Sequence, residues 1–291
     1  MNLISKAIAI LGLATILSGL SPIVCAQPSQ TTPTKPEPSL NNTTPSNTNS
    51  ELSNKPDYKI LAKTVANFFT SDTYQTESEL QLSGSSAGVT FSSSMQVKTT
   101  VKSPKQFRSE ITFAQQNGSV AKKYIVVSDG EQVWIYRSDL KQYAVKNYEA
   151  FEKSNDDFII GMSSALYLKI APSFKGITTV LGGKNLADVL EEMLSSRNLA
   201  LKGGVRNIDS KTYHFYEFTQ QKEGLTFNAL VEPETVKLEQ IQILGKSQGM
   251  DIALKEKIIR RIENPTLEAD TFSFAPPEGT TKVDSLSIQP Y

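Results

Sequence analysis

The stretch Tyr124–Val145, YIVVSDGEQVWIYRSDLKQYAV, decides the fold of this chain. Two runs of β-branched and aromatic residues, Tyr124–Val127 and Val133–Tyr136, flank Ser128–Gly130, and a third run follows a second turn. Because Asp tolerates and Gly favours positive φ in tight turns, the pattern predicts three antiparallel strands joined as a meander. Odd and even positions of the first two runs are both apolar, which indicates a sheet covered on both faces.

The first 26 residues have the pattern of a secretory signal peptide. Lys6 gives a short basic start, an apolar run follows, and the small residues up to Ala26 suit a cleavage site. We therefore expect secretion across the inner membrane, cleavage after Ala26 and a periplasmic mature protein. Two alternatives stay open. One is acylation of Cys25 as in a lipoprotein, although such signals favour a small residue where Val24 stands. The other is an uncleaved anchor.

Residues 27–56 lack the apolar spacing of a folded segment and are rich in Pro, Ser, Thr and Asn. Such a segment buries too little surface to offset its chain entropy, so we predict a disordered linker. The remaining residues, 57–291, suit one large, mainly β domain. Lys and Arg number 30 and Asp and Glu also 30, and this balance argues against a nucleic-acid partner.

Helical patterns occur at two places in this domain. Asp57 is a predicted cap for a helix over 58–69 with one apolar face. A helical insert at about 147–198 contains two amphipathic patterns. The first begins at Asn155 or Asp156 and ends at Pro172, and the second covers 185–195. Strand patterns fill the rest of the domain, including a last short strand at 271–274.

No catalytic constellation is visible. The only histidine, His214, lies in an alternating strand pattern without a Ser or Cys nucleophile motif, where a structural role is much more common. Asp156 and Asp157 stand beside a predicted helix start, and capping explains them better than acid–base chemistry. We expect no enzyme activity, no metal site and no cofactor.

Three motifs, in this order, resemble the periplasmic carriers of outer-membrane lipoproteins, the LolA/LolB-like superfamily. They are Val101–Phe107 (VKSPKQF), Val127–Tyr136 (VSDGEQVWIY) and Phe272–Gly279 (FSFAPPEG). An N-terminal helix and a helical insert after the meander also stand where that family has them. The chain is similar to a divergent member of this superfamily over most of 57–283.

The resemblance implies an α+β, mainly β fold. Its unclosed barrel would be a strongly curved antiparallel sheet of about eleven strands, with helices covering the concave face. A cavity between sheet and helices would bind acyl chains. The family's carriers latch the insert with an arginine, and here that position is Ser103, so we expect an insert that opens readily. The expected cavity and lid residues are Phe107, Ile111, Phe113, Trp134, Tyr136, Phe158, Ile159, Met162, Leu166, Ile170, Leu190 and Met193.

We therefore expect a non-enzymatic cell-envelope protein, monomeric, that holds a lipid or the acyl chain of a lipoprotein. The alternative is an envelope-stress sensor or regulatory module, in which the same fold binds a partner protein or peptide, for example one associated with the membrane.

Overall fold

The computed structural model of the chain describes residues 55–86, 89–114, 121–154, 156–180, 185–196, 201–220, 224–247 and 250–288, without the side chains at 89, 175–180, 193, 196 and 247. The predicted signal peptide at 1–26 and most of the predicted linker, 27–54, lie outside these ranges. Within the ranges, no helix has the length and apolar character needed to cross a membrane.

Twelve strands form one sheet in the order β12-β6-β5-β4-β3-β2-β1-β11-β10-β9-β8-β7. Neighbouring strands are antiparallel except β12, which lies parallel to β6. The two ends of this order do not pair with each other in the described ranges, which confirms the predicted unclosed barrel. The strands are β1 (Thr73–Ser86), β2 (Val89–Lys102), β3 (Gln106–Phe113), β4 (Lys123–Asp129), β5 (Gln132–Arg137), β6 (Gln142–Asn147), β7 (Leu201–Ile208), β8 (Lys211–Gln220), β9 (Leu225–Glu232), β10 (Lys237–Ser247), β11 (Met250–Glu263) and β12 (Thr281–Lys282).

The predicted meander is confirmed as β4, β5 and β6. Its first turn depends on Asp129, whose Oδ1 accepts hydrogen bonds from the backbone N–H groups of Glu131 and Gln132, both at 2.8 Å. Gly130 follows with φ of 107°, in the region that glycine favours. The turn chemistry visible in the sequence therefore sets the register of the hairpin.

The predicted strand at 271–274 is wrong. Thr271 and Ser273 instead donate their backbone N–H groups to Glu268 and Asp270, three residues earlier, so the segment forms successive turns. The hydroxyl groups of Thr271 and Ser273 bond to the same two carbonyls, and such local bonds compete with a strand ladder. The chain joins the sheet only later, at β12.

The meander is covered on both faces, as the sequence indicates. Its inward side chains, among them Val126 and Ile135, are fully buried in the main core. On the outer face, the ring of Phe274 lies 6.5 Å from that of Trp134, 5.9 Å from that of Tyr136 and 5.8 Å from that of Tyr143, measured between centroids. The C-terminal segment is thus a second cover for these strands.

We expect Phe274→Ala to lower the free energy of unfolding by about 1–2 kcal/mol, since it removes three ring contacts and apolar surface. It should also shift the emission of Trp134, the only tryptophan, to longer wavelength as the indole meets water. Phe272→Ala, two residues away and without a ring contact among the described residues, is the matched control. Equal spectra for both variants would contradict the outer cover.

Four helices accompany the sheet in the described ranges: α1 (Tyr58–Thr70), α2 (Tyr148–Lys153), α3 (Met162–Val180) and α4 (Leu186–Ser196). The predicted cap is confirmed, because Asp57 Oδ1 accepts from the backbone N–H of Ile60 at 3.0 Å. The second predicted helix of the insert is confirmed as α4.

The first helix of the insert differs from its prediction at both ends. Turns occupy 156–160, and α3 begins only after Gly161. It then continues through Pro172 to Val180. Proline removes one backbone donor, but Ala171 and Phe174 are buried on either side of it, and this packing holds the helix together. The short helix α2, capped by Asn147, is absent from the prediction.

The main core lies between the helices and the inward face of β1–β5. A group of five aromatic rings in mutual contact forms its centre, and Ile288 of the C-terminal segment enters the core after passing β12. A second, smaller cluster lies under the start of α3. The ring group comprises Phe68, Phe69, Tyr74, Tyr167 and Phe174, and the smaller cluster Met162, Leu225, Phe227, Ile243 and Leu254.

Candidate functional site

An apolar cavity of about 140 Å³ lies between helices α1 and α4 and strands β8–β10. Of its polar lining residues, Thr64 donates its hydroxyl to Ile60 O, Tyr216 donates its hydroxyl to Asp57 O, and Asn228 donates its Nδ2 to Gln242 Oε1. These donors are satisfied inside the protein, whereas Asn228 Oδ1 is buried without a hydrogen-bond partner among the described residues. The rest of the lining is apolar. It is lined by Leu61, Thr64, Val65, Phe68, Phe69, Leu166, Leu190, Leu194, Leu201, Tyr216, Phe218, Phe227, Asn228, Ala229, Val231, Leu238 and Ile241.

Helix α1 contributes one wall through its apolar face. Leu61, Val65, Phe68 and Phe69 follow the spacing i, i+4, i+7 and i+8, which places them on one side of a helix. The strand wall follows the period of two, with Phe227, Ala229 and Val231 of β9 all lining the cavity. Both walls therefore arise from ordinary amphipathic patterns.

Helix α4 closes the cavity through Leu190 and Leu194. Leu186 and Ala187 are also buried, and the helix packs on α1. Among the described residues, the side chains of α4 form no hydrogen bond or ion pair with the sheet or with another helix. Among the described residues, the contacts that hold this helix over the cavity are therefore apolar.

The start of α3 is held in a different way, by a set of contacts that we call the polar clamp. Glu256 of β11 is fully buried, and its carboxylate accepts from the backbone N–H of Ser163 at 2.6 Å and from the Ser163 hydroxyl at 2.9 Å. Tyr74 of β1 donates its hydroxyl to Ser163 O at 3.0 Å, and Thr99 of β2 donates to Ile160 O at 2.6 Å. Three neighbouring strands thus fix residues 160–163.

Burial and geometry define the polar clamp. Burial raises the pKa of the Glu256 carboxyl, and the hydrogen bonds from Ser163 and Ser78 act in the opposite direction. Gly161 has φ of 100°, and a Cβ there would stand 3.1 Å from Glu256 Oε1, so glycine suits both the turn and the close approach of the carboxylate. Lys169 adds an ion pair with Asp157 at 2.7 Å. The start of α3 is therefore anchored by charge and hydrogen bonds.

Arg261 joins α1 to the sheet beside the cavity. Opposite Glu77 and Ser78, β11 has one extra residue, Ile259, so the strand changes face and Arg261 points towards α1. Its guanidinium lies 3.8 Å from the ring centroid of Phe68, and Nη2 donates to Phe68 O at 2.8 Å. Burial lowers the pKa of this guanidinium.

The structure brings only some of the predicted site residues to the cavity. Leu166 and Leu190 line it. Phe107, Ile111 and Phe113 of β3 are buried in the main core, where no lining residue of the cavity lies on their strand. The rings of Phe107 and Phe151 of α2 are 5.5 Å apart.

The insert residues are divided between the two cores. Ile159 and Ile170 are buried in the main core, Met162 in the smaller cluster, and Phe158 packs against both. The side chain of Met193 lies outside the described part of the chain.

Trp134 and Tyr136 lie on the outer face against Phe274, away from the cavity.

The expectation that the insert opens readily stays a prediction. Ser103 lies in the turn between β2 and β3, where its backbone N–H donates to Asp72 O at 3.3 Å. The contacts that hold the start of α3 are those of the polar clamp, which the sequence analysis did not predict. Its sequence signal is an acidic residue at an inward strand position, since Glu256 stands between Leu254 and Ile258 on the buried face of β11. The sequence also indicated the strand wall of the cavity, through the alternation of Phe227, Ala229 and Val231 in β9.

The fold and the cavity define a class of protein, an open curved sheet whose helices enclose an apolar space. Solved structures similar to this chain include LprF from Mycobacterium bovis, with 11% identity, 73% of this chain and 97% of that chain covered, and a TM-score of 0.41. A LolA superfamily protein from Nitrosomonas europaea has 10% identity, covers 74% and 96%, and gives a TM-score of 0.32. The MucA/MucB complex of Pseudomonas aeruginosa has 11% identity, covers 75% and 60%, and also gives 0.32.

The second of these proteins carries the name of the superfamily that the motifs of this chain resemble. No family model and no curated protein matches the chain.

Proposed function

We propose that this chain is a non-enzymatic, monomeric envelope protein of the periplasm that holds one acyl chain of a lipid or lipoprotein in the cavity beside α4. A signal peptide at 1–26 and a linker at 27–56 would precede the binding domain. The observation that carries the proposal is the lining of the cavity, where Thr64 and Tyr216 bond within the protein and the remaining contacts are almost all apolar. Such a surface favours a hydrocarbon ligand.

The size of the cavity indicates that binding requires movement. Ligand pockets usually enclose about 300–1,000 Å³, whereas this cavity encloses about 140 Å³. The space suits a short segment of hydrocarbon, and a longer chain needs one wall to withdraw. The cavity as described is therefore the closed form.

Helix α4 is the wall best suited to move. The polar clamp fixes the start of α3, so displacing that end would break buried hydrogen bonds, whereas displacing α4 exposes only apolar side chains such as Leu190 and Leu194. Each buried methylene of a ligand contributes about 0.8 kcal/mol, so a few methylenes replace the contacts of one leucine. An acyl chain can thus substitute for α4 at small net cost.

The test is native mass spectrometry of protein purified without detergent, followed by titration with a fluorescent fatty acid. We expect lipid masses bound at one copy per protein chain and saturable uptake of the fatty acid. A protein that is empty, takes up no fatty acid and captures a membrane protein would contradict the proposal and favour the sensor or regulatory alternative.

A further inference from the structure

A second cleft, of about 490 Å³, lies on the outer face of the meander. Strands β5 and β6 form its floor, and the C-terminal segment forms its rim through Pro276 and Lys282. The cleft shares no lining residue with the apolar cavity. Its volume is within the usual range of small-molecule sites, about 300–1,000 Å³.

The strand register brings an indole ring and two amide groups together on the floor of this cleft. Trp134 of β5 is paired with Val145 of β6, and Gln132 is paired with Asn147. Because alternate residues of a strand share a face, these four side chains lie on the outer side of the sheet, where all four line the cleft. The two amides are therefore cross-strand neighbours of each other and lie beside the indole.

These polar groups are available to a ligand. Asn147 Oδ1 accepts from the backbone N–H of Ala150 at 2.7 Å, which fixes this side chain at the start of α2 and leaves its Nδ2 to donate. Among the described residues, the side chains of Gln132 and Trp134 form no hydrogen bond. The floor thus offers several donors and one acceptor, a combination that suits a ligand rich in hydroxyl groups.

The indole of Trp134 is supported and remains partly exposed. The ring of Phe274 lies 6.5 Å from it, with an angle of 28° between the ring planes, and Pro276 follows two residues later at the rim. An exposed aromatic ring beside polar groups suits a ligand with an apolar face and a polar edge. A sugar ring has this form, because C–H bonds cover its faces and hydroxyl groups its edge. A hydrocarbon chain does not suit the cleft, since it would displace water from the amides without replacing the hydrogen bonds.

The charge of the cleft favours an anionic group on the ligand. Two lysines and no acidic residue are among its described lining residues. Lys146 is engaged, because its Nζ lies 2.9 Å from Asp156 Oδ2. Lys282 is exposed and forms no ion pair with a described residue. An unpaired cation at the rim of a polar cleft attracts a negatively charged substituent.

We infer that this cleft binds a sugar ring that carries a negatively charged substituent. The ring stacks on Trp134, its hydroxyl groups bond to Gln132 and Asn147, and the anion pairs with Lys282. The inference goes beyond the proposed function and does not depend on it, because the cleft and the cavity share no lining residue.

The test uses the emission of Trp134, the only tryptophan, as a direct report of occupancy. The protein is titrated with N-acetylmuramic acid. The comparison compounds are N-acetylglucosamine, which is the same sugar without the lactyl carboxylate, and lactate, which has the carboxylate without the sugar. We expect a saturable change at millimolar N-acetylmuramic acid, about fivefold weaker binding of N-acetylglucosamine, and no change with lactate.

Two cleft variants and two controls complete the experiment. Gln132→Ala should weaken the binding of both sugars about fivefold. Lys282→Gln should lower the affinity for N-acetylmuramic acid to that for N-acetylglucosamine and leave the latter unchanged. Gln96→Ala on β2 and Lys123→Gln on β4 replace exposed residues of the same two types outside the cleft and should bind like the parent.

Three results would overturn the inference. If neither sugar changes the emission of Trp134, the cleft is not a sugar site. If lactate acts like N-acetylmuramic acid, the cleft recognises an anion and no sugar. If both sugars bind equally and Lys282→Gln has no effect, the ligand carries no charge. Uptake of the fluorescent fatty acid, measured on the same variants, should equal that of the parent, so failure of this inference is distinct from failure of the proposed function.

Discussion

Glu256→Ala is expected to lower the free energy of unfolding by about 3 kcal/mol, because it leaves two buried donors of Ser163 without their acceptor and opens space beneath α3. For a domain of this size, that loss corresponds to a fall in melting temperature of about 10 °C. Thermal and chemical unfolding followed by circular dichroism measure it. Glu110→Ala, an exposed carboxylate on β3, should stay within about 0.5 kcal/mol of the parent.

Glu256→Gln separates shape from charge at the same position. The amide keeps the size and one acceptor but presents N–H groups to a second donor. We therefore expect an intermediate loss of about 1–2 kcal/mol in the free energy of unfolding.

The difference in stability between the parent and Glu256→Gln should depend on pH. Because burial raises the pKa of Glu256 in the folded protein, the folded state takes up a proton more readily than the unfolded one. The contribution of this group to stability is then fully present below the ordinary pKa and is lost as pH rises through the raised value.

The parent should therefore gain stability relative to Glu256→Gln as pH falls from neutral through the raised pKa of Glu256. A difference between the two proteins that does not vary with pH, or a Glu256→Ala variant as stable as Glu110→Ala, would mean that the polar clamp does not hold the start of α3.

The fold was largely predictable because local chemistry dictates it. Asp129 and Gly130 encode the hairpin turn, and Asp57 encodes the start of α1, since each acts on residues within four positions. The start of α3 was not predictable in the same way. Its position depends on Glu256, which is 93 residues from Ser163 in sequence. A proline within a helical pattern usually ends the helix. The burial of the residues beside Pro172 explains why α3 continues past it.

The position of the cavity was harder to predict than its existence. Phe107 and Ile111 on β3 show the same alternation as Phe227 and Ala229 on β9, so both halves of the sheet are candidates from sequence alone. The difference is what covers them. Phe151 of α2 and the start of α3 fill the first half, whereas α4 only spans the second. The empty space depends on how the helices pack over the sheet. The pattern of residues in a strand carries no information about that packing.

Trp134 and Tyr136 show a related difficulty. Their strand is apolar on both faces, and the sequence alone does not say which face meets the helices. The outer face is covered by Phe274, a residue far from this strand in sequence, whose ring lies against Trp134 and Tyr136. Contacts between distant segments therefore account for most of the difference between prediction and structure.

Filling the cavity should remove binding without harming the fold. Ala229 of β9 lines the cavity, and Ala229→Leu places three further carbon atoms inside it. A ligand then loses contact for about three methylenes, or about 2 kcal/mol, which corresponds to roughly thirtyfold weaker binding of a fluorescent fatty acid. Filling a void tends to stabilise, so the melting temperature should stay the same or rise.

The control for this variant is Ala253→Leu on β11, which is the same substitution at a partly buried strand position that does not line the cavity. It should bind the fatty acid like the parent. The opposite change within the cavity, Leu194→Ala, removes a side chain of α4 that the ligand is expected to replace, so it should accelerate uptake. If Ala229→Leu binds like the parent while remaining folded, the acyl chain does not occupy this cavity. Slower uptake by Leu194→Ala would show that α4 is not the moving wall.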